Sequence, residues 1–164
     1  MRSSHLQSAT AEILDRFDIL SAARDRALTE GRQIVRISAN TVRAVHRGEL
    51  VEAASLLAEA KALLRALVDH LAPYPGIYWA GYVQDAMKEF AEASVTLAIV
   101  GDAPILGPAD LGVEDAPYLN ALAEGASELR REILDRLRAD DLERAESLMS
   151  VMDEIYDVLI TVDF

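Results

Sequence analysis

Ala, Leu, Glu and Arg dominate every long segment of the chain, and its β-branched and aromatic residues are scattered, so the apolar positions recur at helical spacing and strand signals are nearly absent. From about Leu6 to Arg47 neither proline nor a turn cluster interrupts, Gly31 being the one weak point. This predicts a single helix of roughly 60 Å at ~1.5 Å per residue. Gly48-Glu49 ends it, and a second helix runs to about Leu71, where Pro73-Tyr74-Pro75-Gly76 makes a turn. A third helix is predicted from about Ile77 to Val100, closed by Gly101-Asp102-Ala103-Pro104. The stretch onward to Pro117, with Gly107, Pro108 and Gly112, reads as a surface loop with room for one short helical turn. Pro117 suits the first turn of a fourth helix ending near Arg138, and Asp140 or Asp141 caps a last helix that reaches almost to Phe164. The fold class is all-α, in one domain.

Length and composition agree with that. The 164 residues are 51% hydrophobic and 27% charged, which suits one globular core. Sixteen Lys and Arg against 28 Asp and Glu give a net charge of -12, which argues against whole-molecule attraction to nucleic acid or to an anionic membrane, so any such binding is local. The absence of cysteine excludes disulfides, thiolate zinc sites and thiol nucleophiles. No leader or membrane-span pattern is present, and a soluble cytoplasmic protein is expected.

The charges are segregated. At ~100° per residue, Arg32, Arg36, Arg43, His46 and Arg47 share a stripe of the first helix, away from Ile34, Val35, Ile37, Val42 and Val45. The stripe is either a solvated face or a phosphate-binding ridge, and the use of Arg rather than Lys sets the second level with the first, because guanidinium pairs bidentately with phosphate. On the third helix Asp85, Glu89 and Glu92 fall on one face, with Tyr78 and Tyr82 on the same side one and two turns earlier. Carboxylates at this spacing with no base between them repel one another, and a hard cation such as Mg²⁺ would offset that. Glu124, Glu128 and Asp135 repeat the arrangement on the fourth helix beside Arg131. Two ordinary acidic faces remain the simpler alternative. No Glu-x-x-His, phosphate loop, nucleophile elbow or dinucleotide fingerprint occurs, and the three histidines are far apart in sequence.

Several blocks together carry a family resemblance: Arg32-Gln33-Ile34-Val35-Arg36-Ile37-Ser38, Val42-Arg43-Ala44-Val45-His46-Arg47-Gly48, Lys88-Glu89-Phe90-Ala91-Glu92-Ala93, and Tyr118-Leu119 through Glu128-Leu129-Arg130-Arg131. In that order and spacing, over nearly the whole chain, the sequence resembles the translin family, which contains translin, its partner Trax and single-gene archaeal relatives. The resemblance implies an antiparallel helical bundle with one very long N-terminal helix, assembling into a hollow, barrel-like oligomer, commonly an octamer. It also implies single-stranded RNA or DNA as partner and, where the protein is Trax-like, Mg²⁺ or Mn²⁺ held by carboxylates that cleave RNA inside the barrel. The Trax-type pair of glutamates matches Glu89 and Glu92. A third carboxylate, an Asp in the family, aligns with Glu124, and the following Glu aligns with Glu128. Glu124 is one methylene longer than the family's Asp, and Ser127 replaces the usual Gly. The family usually continues beyond Asp163-Phe164 with another helix, which leaves either a cut chain or a short branch.

The leading expectation is a Mg²⁺-dependent endoribonuclease in which Glu89, Glu92 and Glu124 hold metal, with Asp85 and Glu128 as outer or alternate ligands. Arg32, Arg36, Arg43, His46 and Arg47 would grip phosphates, and Tyr78 or Tyr82 would stack a base. The alternatives are a catalytically silent, translin-like binder and a helical interaction module. A homo-oligomer larger than a dimer is expected, because the long first helix exceeds what the remaining helices can cover. The last helix, through Leu148, Met152, Ile155, Leu159 and Phe164, is a second candidate interface.

Overall fold

The computed structural model describes residues 2–162, with side chains from residue 5 to residue 162. Seven helices run in the order α1 (Arg2–His46), α2 (Leu50–Leu71), α3 (Pro75–Tyr78), α4 (Gly81–Val100), α5 (Pro108–Leu111), α6 (Asp115–Arg138) and α7 (Leu142–Leu159), with no strand among the described residues. No helix among them is long and apolar enough to cross a membrane.

The centre of the bundle is α4. Its buried residues, Val83, Ala86, Met87, Phe90, Ala91, Ala93, Ser94, Val95, Thr96 and Ile99, lie on more than one side, because α1 and α2 pack against one face and α6 against another. Ile34, Leu64, Leu67, Leu71, Met87 and Phe90 form the larger core. Val95, Leu129, Leu148 and Ile155 form the second, under α6 and α7. Gly125 brings α6 close to α4: a Cβ there would stand 3.0 Å from Val95 Cγ1. α7 is tied back by Arg144, whose guanidinium donates to Asp102 at 2.6 Å and to the last carbonyls of α4, Ile99 at 3.1 Å and Val100 at 3.0 Å. A cation in that place satisfies orphan carbonyls and complements the helix dipole.

Most boundaries follow local chemistry. α1 stops at Gly48, whose φ of 75° lies in the left-handed region, and α7 begins at Asp141, whose carboxylate accepts from the Arg144 N–H at 3.3 Å. The expected helical turn in the loop is α5, closed by Gly112 at φ 74°.

Three expectations are corrected. The helix predicted from Ile77 is two elements: Ala80 is extended, at φ -69° and ψ 143°, and the Gln84 amide donates to the Tyr78 carbonyl across the break at 2.9 Å. The last helix ends at Leu159 rather than close to Phe164, and Phe164 itself lies outside the described residues. Of the residues expected to form its outer interface, Leu148 and Ile155 are buried and Met152 and Leu159 pack against the same core, so the face left exposed carries Leu142, Met149 and Tyr156 instead.

Burial on α1 begins only at Ala23. The preceding helix, about 30 Å long, carries Leu6, Ile13, Phe17 and Leu20 on one stripe, and all four are exposed, Phe17 by 60%.

Candidate metal and nucleic-acid site

Two neighbouring features bring the charged residues together. The first lies between α4 and α6. Glu89 and Glu92, one turn apart on α4, meet Glu124 of α6, and one carboxylate oxygen from each lies within 4.8 Å of the others. The i, i+3 spacing on α4 aligns the first two, and the close approach of α6 supplies the third. Burial first, then a hydrogen bond with Glu124 and the negative charges of Glu89, Glu124 and Glu128, push the Glu92 carboxyl up to about 8.

Lys88 is the residue that sequence reasoning passed over. Its ammonium donates to Glu124 Oε2 at 2.7 Å and Oε1 at 3.0 Å and lies 3.1 Å from Glu89 Oε1 and 3.6 Å from Asp85 Oδ1. The premise that no base intervenes among these carboxylates is therefore corrected: Lys88 intervenes, and the extra methylene of Glu124 is compatible with a two-oxygen grip on it. Burial would lower its pKa, but the hydrogen bonds to Glu124 and Glu89 and their charges outweigh that and raise it, so Lys88 stays protonated. The Lys-Glu block in the sequence was the available signal, but the pairing with Glu124 depends on α6.

Asp85 and Glu128 flank the three glutamates. Asp85 is exposed and faces a groove, whereas Glu128 is held by His46, whose Nε2 lies 2.6 Å from Glu128 Oε2. His46 differs from its expected place on an open ridge: its side chain is only 6% exposed, because α6 covers it, and its Nδ1 is buried without a partner among the described residues.

The second feature is the groove. Arg32, Arg36 and Arg43 of α1 line a cleft of about 500 Å³ together with Tyr82 and Asp85 of α4. All three guanidinium-bearing residues are exposed, and Arg43 donates to Asn40 Oδ1 at 2.5 Å. Gly31 is among the residues that line the groove, and a Cβ there would meet the Tyr82 carbonyl at 3.5 Å, an ordinary van der Waals contact. Arg47 stands apart from the groove, paired with Glu49. Tyr78 also departs from its expected face, because the break at Ala80 removes it from the phase of α4. Its hydroxyl donates to Glu114, its ring packs edge-on to Trp79 with centroids 5.0 Å apart, and burial followed by the Glu114 contact pushes its pKa up to about 12.

The raised Glu92 pKa sets the sign of a pH effect. With an ordinary value of 4.5 when unfolded and about 8 when folded, the folded chain holds a proton that the unfolded chain releases. Stability from this group is whole below pH 4.5 and is lost as the pH climbs to about 8. Glu92→Gln should therefore be more stable than wild type at pH 8 without divalent ions and close to it at pH 4.5. Discounted for the water that reaches this half-buried group, the gain is about 1–2 kcal/mol, or a few degrees in Tm by calorimetry.

AfC3PO, of the translin/Trax type, is similar to this chain: its crystal structure superposes with a TM-score of 0.84 at 34% identity, covering 92% of this chain and 77% of that one. The structure of AfC3PO in complex with duplex RNA gives the same values. Apo-NeC3PO shares the fold, with a TM-score of 0.67 at 16% identity over 91% of this chain and 94% of that one. An uncharacterized protein of Methanocaldococcus jannaschii is 28% identical over 145 residues, 87% of this chain, and the chain spans 64% of that relative's length. No family model matches. With 34% identity to AfC3PO over 77% of that chain and the same arrangement of helices, the protein belongs to the translin family.

Proposed function

We propose that this protein is an RNA-binding oligomer that cleaves single-stranded RNA with the help of Mg²⁺ or Mn²⁺, inside a barrel built from copies of the chain. The observation that carries this reading is the convergence of Glu89, Glu92 and Glu124 from two helices beside a groove of arginines. The donor set fits a hard cation. Oxygens bound to one Mg²⁺ at about 2.1 Å lie at most about 4.2 Å apart, so the observed spread needs only side-chain rotation. A carboxyl that burial and like charges hold protonated is also one that a dication would help to ionise.

In this reading Glu89, Glu92 and Glu124 hold the ion, and Glu128 is kept in position by His46. Bound there, the ion would supply charge neutralisation on the phosphodiester and activation of water. Arg32, Arg36 and Arg43 hold backbone phosphates along the groove, and Tyr82 offers a ring against which an unpaired base stacks. The complex of AfC3PO with duplex RNA supports RNA as the partner class, and the stacking position favours a single strand. The cytoplasm is the expected compartment.

Turnover separates this reading from a silent binder. End-labelled single-stranded RNA should be cut with Mg²⁺ and remain intact with EDTA while still being bound, and a duplex of the same sequence should be cut more slowly. Binding without turnover at any divalent ion concentration would leave the translin-like binder. Arg36→Ala should reduce the salt slope of single-strand binding by roughly 0.7 and weaken all sequences about equally, as expected for one lost phosphate contact, whereas Arg36→Lys should retain part of the affinity. A titration of affinity against salt reads both, and an unchanged slope would remove Arg36 from the interface.

A further inference from the structure

We propose that Lys88 is the resident counter-cation of the carboxylate cluster, a side chain that a divalent ion must displace from Glu89 and Glu124 before the cluster can hold that ion. The inference rests on the metal reading above and adds to it a residue that governs how readily the site fills. The Lys88 side chain is 19% exposed, and its ammonium donates to both oxygens of Glu124 and stands 3.1 Å from Glu89 Oε1 and 3.6 Å from Asp85 Oδ1. Two of the three carboxylates that would hold metal are therefore already engaged by this side chain. A dication brought to these oxygens repels the ammonium and competes with it for the lone pairs that face the cluster.

The residue type suits such an exchange. The chain carries fourteen Arg and two Lys, Lys61 and Lys88. An arginine here would lock a planar fork onto Glu124, whereas lysine is a compact charge on a flexible stem, able to leave its partners by rotating. Asp85, exposed at the edge of the arginine groove and 3.6 Å from the ammonium, offers the displaced charge its next partner. Lys61 is remote from the cluster and donates to the Asp110 carbonyl at 3.2 Å, which makes it an internal control.

Calorimetric titration of Mn²⁺ into the full chain tests the exchange without reference to activity. Lys88→Met should bind Mn²⁺ about tenfold more tightly than wild type with the same stoichiometry, because the competitor is gone. Lys88→Arg, which keeps the charge, should bind no more tightly than wild type. Wild type supplies a second readout that needs no variant: in a ¹H–¹⁵N spectrum of the lysine ammonium groups, addition of Mg²⁺ should shift or abolish the Lys88 signal and leave that of Lys61 in place. Unchanged or weaker Mn²⁺ affinity in Lys88→Met, tighter binding in Lys88→Arg, or a Lys88 signal indifferent to saturating Mg²⁺ would each overturn the proposal while the metal site stood. Absence of Mn²⁺ binding by wild type and Lys88→Met alike would overturn the metal reading and the exchange together.

Discussion

Glu89→Gln and Glu92→Gln are each expected to lower cleavage of single-stranded RNA by on the order of 1,000-fold while leaving RNA binding intact or slightly tighter. The split follows from the arrangement of the site. In the proposed reaction the carboxylates of α4 and α6 act on one ion, and Gln keeps the shape of each side chain without an ionisable carboxylate. On that reading binding depends on Arg32, Arg36 and Arg43 in the adjoining groove, which the substitutions do not touch, and losing the Glu89 charge close to the phosphates reduces repulsion, whereas Glu92, protonated below about pH 8, has little charge to lose. Glu92→Gln should also abolish any rise in Tm on adding Mg²⁺, since stabilisation by a ligand requires its site. Parallel single-turnover cleavage and gel-shift assays read the two effects. Equal loss of binding and cleavage would show that the carboxylates support the RNA interface rather than the reaction.

Phe17→Asp is expected to break the assembly without unfolding the chain. Nearly the first half of α1 projects beyond the bundle, and Leu6, Ile13, Phe17 and Leu20 give it an apolar stripe that no other helix among the described residues covers. A helical segment of that length has little stability in water alone, and stripes of this size mark subunit contacts. Because Ala23 and the residues beyond it supply the part of α1 in the core, a charge at position 17 leaves the bundle itself untouched. Light scattering at micromolar concentration should give wild type a mass greater than a dimer of the 17.9 kDa chain, and the variant a mass several-fold smaller with nearly unchanged circular dichroism. A wild-type monomer, or a variant with the wild-type mass, would contradict the interface.

The sequence made the helices legible wherever the chemistry of an end is local. Gly48 and the Asp141 cap each act on neighbouring residues, and each ends or begins an element where expected, whereas α3 starts at Pro75, inside the expected Pro73 to Gly76 turn. The break at Ala80 was hidden, because nothing in the stretch from Ile77 forbids a helix and the Gln84 side chain satisfies the Tyr78 carbonyl only once the chain has turned. The site divides in the same way. Glu89 and Glu92 share a face through helical phase alone, so α4 shows them, and Glu124 follows from the resemblance. His46 and Lys88 escape phase arithmetic. His46 sits at the edge of the basic stripe until α6 covers it, and Lys88 acquires its main partner from a helix 36 residues away in the chain. Charged groups whose roles depend on a second helix are the ones that one-dimensional spacing misassigns.

The proposed reaction requires that α4 and α6 jointly hold a divalent ion. Anomalous scattering from crystals of the protein grown with Mn²⁺ tests it directly. The expected result is a peak bonded to carboxylate oxygens of Glu89, Glu92 and Glu124, with the Lys88 ammonium moved toward Asp85, and no peak there in Glu92→Gln. Mn²⁺ found elsewhere, with Lys88 still seated on Glu124, would contradict it.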